Sequence, residues 1–186
     1  SIYVDQWDWE KIILKEERSI ETLKSVVSDV YRVLRKTEKY MSIRYDYIEE
    51  ILPHDIYFIT THELEALYPE NTPKEREYLI TKEKGAVCLM QIGEPLENGL
   101  PHDGRAPDYD DWHLNADILV YYPVLGIALE LSSMGIRVDA DSLLSQLEAA
   151  GCMERALLPF QKAVLNGELP YTIGGGIGQS RICMFF

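Results

Sequence analysis

Three groups of residues in this 186-residue chain have types and spacings that chemistry can use. The first is Gly174-Gly175-Gly176-Ile177-Gly178-Gln179-Ser180-Arg181, close to the C-terminus. Glycine loses more conformational entropy on folding than any other residue, so such a run needs a reason. It is not a P-loop, which would end Gly-Lys-Ser/Thr. Nor is it a dinucleotide fingerprint, because Gln179 stands where the third glycine belongs. A strand over Tyr171–Ile173 that runs through glycines into a short helix near Gln179 suits a flat ligand on bare backbone. Arg181 would then reach its phosphate or stack on its ring. The same residues also read as a glycine-rich turn with a surface arginine.

The second group is Arg105-Ala-Pro-Asp-Tyr-Asp-Asp-Trp112. Pro107 stiffens a segment in which Arg105 could take an α-carboxylate and a nearby Asp an α-ammonium, the two ends of a zwitterion. The alternative is an acidic surface loop with an internal ion pair of little energetic worth. The third group is Asp117 on one apolar strand and Glu130 on the next. Unpaired carboxylates are costly in such strands. A converging pair would repel unless joined by a cation, and Mg²⁺ with a nucleotide phosphate fits; strand-end carboxylates facing water are the alternative. Ser132 and Ser133 add hydroxyls on the same path. Near the N-terminus, Gln6 and Asp8 share one face of an aromatic-rich strand, which suits a ligand-facing surface better than a core.

The elements that must position these groups follow from periodicity. Tyr3–Trp9 alternates as a strand, and Glu17–Met41 carries a helical apolar face through Leu23, Val27, Val30 and Leu34. A short strand at Ile56–Thr60 leads to a helix from His62 to Leu67, capped by Thr60 or Thr61. Thr72-Pro73 opens a second helix ending near Gly85. Ala86–Ile92 reads as a strand buried on both faces. Asp117–Tyr122 and Ile127–Ser133 form a hairpin around Pro123–Gly126. A helix capped by Asp139 or Asp141 runs to Ala149, and a single helix spans Met153–Leu165. Together these predict an α/β (α+β) fold, an antiparallel sheet flanked by helices, as one domain over 1–186.

The formal net charge of −13, with no basic cluster, argues against a nucleic-acid partner. No apolar run is long enough to span a bilayer. Three dispersed cysteines without metal-site spacing read as reduced core thiols of a cytoplasmic protein, and the four histidines show no ligand spacing.

Glu130-Leu-Ser-Ser-Met-Gly-Ile-Arg137 followed by the glycine run and Arg181 resembles the catalytic core of class II aminoacyl-tRNA synthetases. Within that superfamily, Tyr3–Glu10, Arg105–Trp112 and Glu130–Asp141 are more similar to ammonia-dependent asparagine synthetase (aspartate–ammonia ligase), over essentially the whole chain. The resemblance implies ATP-dependent ligation of ammonia to L-aspartate through a β-aspartyl-adenylate, giving asparagine, AMP and pyrophosphate. It implies that Gln6 and Asp8 line the aspartate pocket and that Arg105 and Asp110 hold its α-carboxylate and α-ammonium. Ser132 and Ser133 would lie near the adenylate or the amino acid. Asp117 and Glu130 would bind Mg²⁺, while Glu130, Gly176, Gly178 and Arg181 would form the nucleotide site. Arg181 and Gln6 would act in catalysis. Members of that family are longer at both ends, including a dimer-forming N-terminal part. The expectation is therefore a homodimeric full-length enzyme and a weakly active or inactive fragment. The rival is an aspartyl- or asparaginyl-tRNA synthetase core.

Overall fold

The computed structural model describes residues 5–186; Tyr3 and Val4 of the expected first strand lie outside them. Six strands form one sheet in the order β1-β6-β5-β4-β3-β2. They are β1 (Gln6–Ile12), β2 (Tyr57–Thr60), β3 (Ala86–Met90), β4 (Asp110–Tyr122), β5 (Ile127–Arg137) and β6 (Thr172–Gly178). Neighbours are antiparallel except β2 and β3, which run parallel. That departs from a purely antiparallel sheet for a plain reason. The chain between β2 and β3 is a crossover of two helices, the connection parallel strands require.

Those helices, α2 (Thr61–Leu67) and α3 (Pro73–Lys84), begin with reciprocal capping boxes. Thr60 accepts from the Glu63 amide and Thr72 from the Glu75 amide, while each glutamate reaches back to its cap. Gly85 ends α3 at φ 77°, a conformation that favours glycine. Helix α1 (Ile20–Arg44) is capped by Ser19 and buries Leu23, Val27, Tyr31 and Leu34. These residues pack on alternate positions of the sheet, including Cys88, Ala116, Ile118, Leu131, Met134 and Ile173. On the opposite face, Leu64 of α2 and Ile80 of α3 cover Val87, Leu89 and Leu119. This second layer covers the β2–β4 half of that face. The apolar cluster it forms takes no residue from β1 or β6.

Helix α4 (Ala140–Ala149) is capped by Asp139, which accepts from the Ser142 amide at 2.9 Å. The single helix expected over Met153–Leu165 is in fact two pieces. A 3-10 turn covers Met153–Leu157, and α5 (Pro159–Leu165) follows. Leu158 is extended because the proline ring excludes helical backbone at the residue before it. Helix α6 (Gln179–Phe185) closes the chain. Of the cysteines expected in the core, Cys88 is buried, but Cys183 is exposed on α6. Among the described residues, no helix is long and apolar enough to cross a membrane.

Candidate active site

The glycine run is the body of a strand and not a turn. Residues 174–178 belong to β6, paired on one side with β1 and on the other with β5. None of these glycines has a positive φ. Their value is the space left by the missing side chains. A Cβ on Gly176 would stand 2.7 Å from an Asp8 carboxylate oxygen. One on Gly174 would overlap the Glu10 carboxylate and stand 2.5 Å from Arg137 Nη2. The charged side chains of the flanking strands therefore lie across β6.

Strand register then sets out the site in rows. Asp8 pairs with Gly176, Gly176 with Ser133, and Ser133 with Asp117, a line across four strands. Glu10, Gly174, Gly135 and Asn115 form the next line. Between Ile118 and Leu119 the β4–β5 register shifts, so that Ser132 lies opposite Ile118 and Glu130 opposite Leu119. The extra residue is Leu131, a bulge that changes which side chains share a face. Glu130 thus comes to the same face as Ser133, Gly135 and Arg137. Ser132 turns to the other side, among the core partners Ile118 and Ile177. Its hydroxyl donates to the Gly176 carbonyl at 2.9 Å, so its role is to hold β5 to β6.

Two charged groups occupy this face. In the first, Arg137 is the hub. Its Nε and Nη2 donate to the two oxygens of Glu10 at 3.0 and 2.6 Å, and Nη1 pairs with Asp110. The Tyr109 ring lies 4.1 Å from the guanidinium carbon, within cation–π range. Burial works against the Arg137 cation, but the Glu10 hydrogen bonds and Asp110 outweigh it, and its pKa rises. Burial raises the pKa of Asp110 despite the arginine beside it. Burial works against the Glu10 carboxylate, but the hydrogen bonds from Arg137 and Thr172 and the Arg137 charge together outweigh it, and its pKa is lowered. These residues, with Gln6, Asp8, Ser133, Gly175 and Gly176, line a cavity of about 470 Å³. Asp8 forms no ion pair with any described residue and lines this space.

The second group alternates in sign. Arg105 pairs with Asp117, and Arg181 of α6 pairs with Glu130 at 2.9 Å while donating to its carbonyl oxygen. Asp117 is buried, and burial holds its pKa up at about 6; the Glu130 charge adds to this, while Arg105 opposes it. Asp117 and Glu130 lie on one face as diagonal neighbours across the bulge and not as a facing pair, each held by its own arginine. Gly178 supplies the N-cap position of α6, the helix that carries Arg181.

Arg105 and Asp110, expected to hold the two ends of aspartate, each carry an ion pair of their own. The arginine paired with Asp110 is Arg137, whereas Arg105 is paired with Asp117. Arg137, Glu10 and Tyr109 were missed as site residues. The parity that puts Gln6 and Asp8 on one face also selects Glu10, but the bulge at Leu131 hides the link from Glu130 to Arg137. The loop ahead of β4 is fastened from behind. Gln146 of α4 donates to the carbonyls of Pro107 and Asp110 and accepts from the Trp112 amide. Asp108 is bound by Gln161 and Asp111 by Arg18, so these two carboxylates hold the loop in place. Among the described residues no three acidic, histidine or cysteine side chains form a metal cage.

The architecture is that of class II aminoacyl-tRNA synthetase catalytic cores. It superposes on an aspartyl-tRNA synthetase from Entamoeba histolytica with a TM-score of 0.63 at 17% identity, covering 98% of this chain and 40% of that one. An asparaginyl-tRNA synthetase from Pyrococcus horikoshii, complexed with asparaginyl-adenylate, gives 0.63 at 14% identity over 97% and 43%. Sequence similarity is far greater elsewhere. An aspartate–ammonia ligase of Ruminiclostridium cellulolyticum is 63% identical over 186 residues, which is 100% of this chain and 55% of that protein. One of Fusobacterium nucleatum is 61% identical, again over 100% of this chain and 57% of the relative. The chain thus spans about half the length of these curated relatives. A family model described as aspartate-ammonia ligase matches residues 1–186, and with these identities the chain belongs to the aspartate–ammonia ligase family.

Proposed function

We propose that the full-length protein joins ammonia to the side-chain carboxylate of L-aspartate at the expense of ATP, releasing asparagine, AMP and pyrophosphate by way of a β-aspartyl-adenylate. The observation that supports this most is the adjacency of two unlike charged groups on one open sheet face. One, around Arg137, Asp110 and Asp8, offers a guanidinium for a carboxylate and carboxylates for an ammonium. The other, around Arg181, Glu130, Asp117 and Arg105, offers arginines for phosphates.

In this reading Arg137 holds the α-carboxylate of aspartate, with Arg105 close behind Asp117, and Asp110 and Asp8 hold the α-ammonium. The reactive carboxylate then points along the Asp8–Gly176–Ser133–Asp117 row towards the nucleotide, with Gln6 and Ser133 bordering it. Arg181 stacks on the adenine or pairs with a phosphate. It offsets charge as pyrophosphate leaves, where a preorganised cation is worth more than it is in water. Asp117 and Glu130 fit Mg²⁺, which is commonly held by one or two carboxylates plus substrate phosphates. The mutual repulsion that helps raise Asp117 is what a second cation would relieve. When bound, the ion would supply charge neutralisation at the phosphates. The proposal includes a homodimeric, cytoplasmic full-length enzyme.

The test is formation of AMP and asparagine by the full-length protein from aspartate, ATP, Mg²⁺ and ammonium, with calorimetry of ATP binding beside it. Arg181→Ala is expected to abolish turnover and weaken ATP binding at least tenfold, the loss of about 1.4 kcal/mol. Unchanged ATP affinity in that variant would overturn the role of Arg181. Ammonia-independent charging of tRNA would overturn the ligase reading.

A further inference from the structure

Behind the amino-acid cavity lies a second one of about 490 Å³, with walls that are mostly apolar, among them Phe160, Val164 and Leu169. The two cavities have three lining residues in common: Glu10, Tyr109 and Arg137. Those three side chains are the partition between them. The partition is well held on the arginine side, by Asp110, the Tyr109 ring and the two hydrogen bonds to Glu10. Its other half is Glu10 alone, a residue of β1 whose side chain is 45% exposed. The missing side chain at Gly174 lets Glu10 lie flat across β6 to meet Arg137. A space that would otherwise be continuous is cut in two by one ion pair.

From this we infer that Glu10 is a specificity-determining residue: held against Arg137, it forms the end wall of the amino-acid pocket and restricts the substrate to a four-carbon amino diacid. The inference rests on the proposed function, since it takes the first cavity as the amino-acid pocket. With the wall in place, a diacid one methylene longer cannot seat its α-carboxylate on Arg137 and still present its side-chain carboxylate to the nucleotide. With the wall removed, the chain bends into the apolar space behind, where Val164 and Leu169 receive the added methylene.

The experiment uses full-length protein with Glu10→Ala and Glu10→Gln, and compares L-aspartate with L-glutamate. Two ratios are read: kcat/KM for AMP formation with ammonium, and calorimetric affinity, which needs no turnover. One methylene is commonly worth about 10–200-fold in such a pocket. Glu10→Ala is therefore expected to raise the glutamate-to-aspartate ratio by at least about tenfold, even as aspartate use falls with the loosened Arg137. Glu10→Gln keeps the bulk and one acceptor, and is expected to keep a ratio near the native one. An unchanged ratio in Glu10→Ala would overturn the inference. So would an equal rise in both variants, which would assign selectivity to charge and not to a wall. A native protein that binds aspartate yet forms no asparagine would sink the proposed function, while the affinity ratio would still decide the role of Glu10.

Discussion

Arg137 and Arg181 serve the same open face of one sheet but are held in different ways. Arg137 is 13% exposed and is clasped by two carboxylates and an aromatic ring. Arg181 is 48% exposed and rests on the single residue Glu130. The first group carries more negative than positive charge and its arginine is fixed by several partners, which fits the proposed zwitterion site. The second group, two arginines and two carboxylates in alternation, balances itself. Under the proposed function, phosphate oxygens would take the arginines as the carboxylates let go, so ligand binding there would be an exchange of partners.

The sharpest way to break this contrast is Arg137→Ala. It leaves Asp110 buried without its cation, and removing one partner of a buried pair destabilises by about 3–5 kcal/mol. Chemical denaturation should show this. A loss below about 1 kcal/mol, the level of surface pairs, would erase the distinction between the two groups.

Asp117→Asn should act in the opposite direction. The Asp117 pKa is held at about 6, above the ordinary 3.8. Because the folded state binds the proton more tightly, this group's contribution to stability is fully present below about pH 4 and is lost as pH rises through 6. At pH 7 the asparagine variant should be the more stable by up to about 3 kcal/mol, with the advantage vanishing below about pH 4. Denaturation midpoints measured from pH 3 to 8 check the slope; a constant difference would contradict it.

Ser132→Ala should lose about 1 kcal/mol, a single hydrogen bond to the Gly176 carbonyl. Ser133→Ala should instead leave stability alone and change aspartate affinity in the full-length protein. A reversal of these two effects would mean that the bulge is misplaced. Smallest of all, Arg181→Ala should change stability by less than about 1 kcal/mol, since its pair is largely solvated. The proposed function puts its effect in nucleotide binding.

What could be read from the sequence was what depends on near neighbours. The α1 stripe, the Thr60, Thr72 and Asp139 caps and the turn before Ile127 all follow from local spacing. So did the shared face of Gln6 and Asp8. What escaped depends on long-range pairing. Glycines have low strand propensity, so nothing local marks 174–178 as a strand; only β1 and β5 on either side make it one. The polar stretch Asp110–Asn115 looks like loop, yet it opens β4 because Gln146 and Arg18 take up its polar groups. The Leu131 bulge is invisible to any count of alternating residues, and it decides that Ser133, and not Ser132, faces the cavity. Arg137 lay within a motif already singled out, but its partners come from β1 and from the start of β4.

The pairing of β1 with β6 has a consequence for the order of assembly. Gln6 meets Gly178 and Asp8 meets Gly176, contacts between opposite ends of the described chain. The β4–β5 hairpin closes a short loop, while the β1–β6 pair must close nearly the whole chain, and the entropy of that closure has to be met before its contacts reward it. Of the second charged group, Asp117 and Glu130 lie on the hairpin and can be brought together early in folding, while Arg181 arrives with α6. The cavity lined by Gln6, Asp8, Gly175 and Gly176 is complete only once β1 and β6 have met, so it is a late part of the face to form.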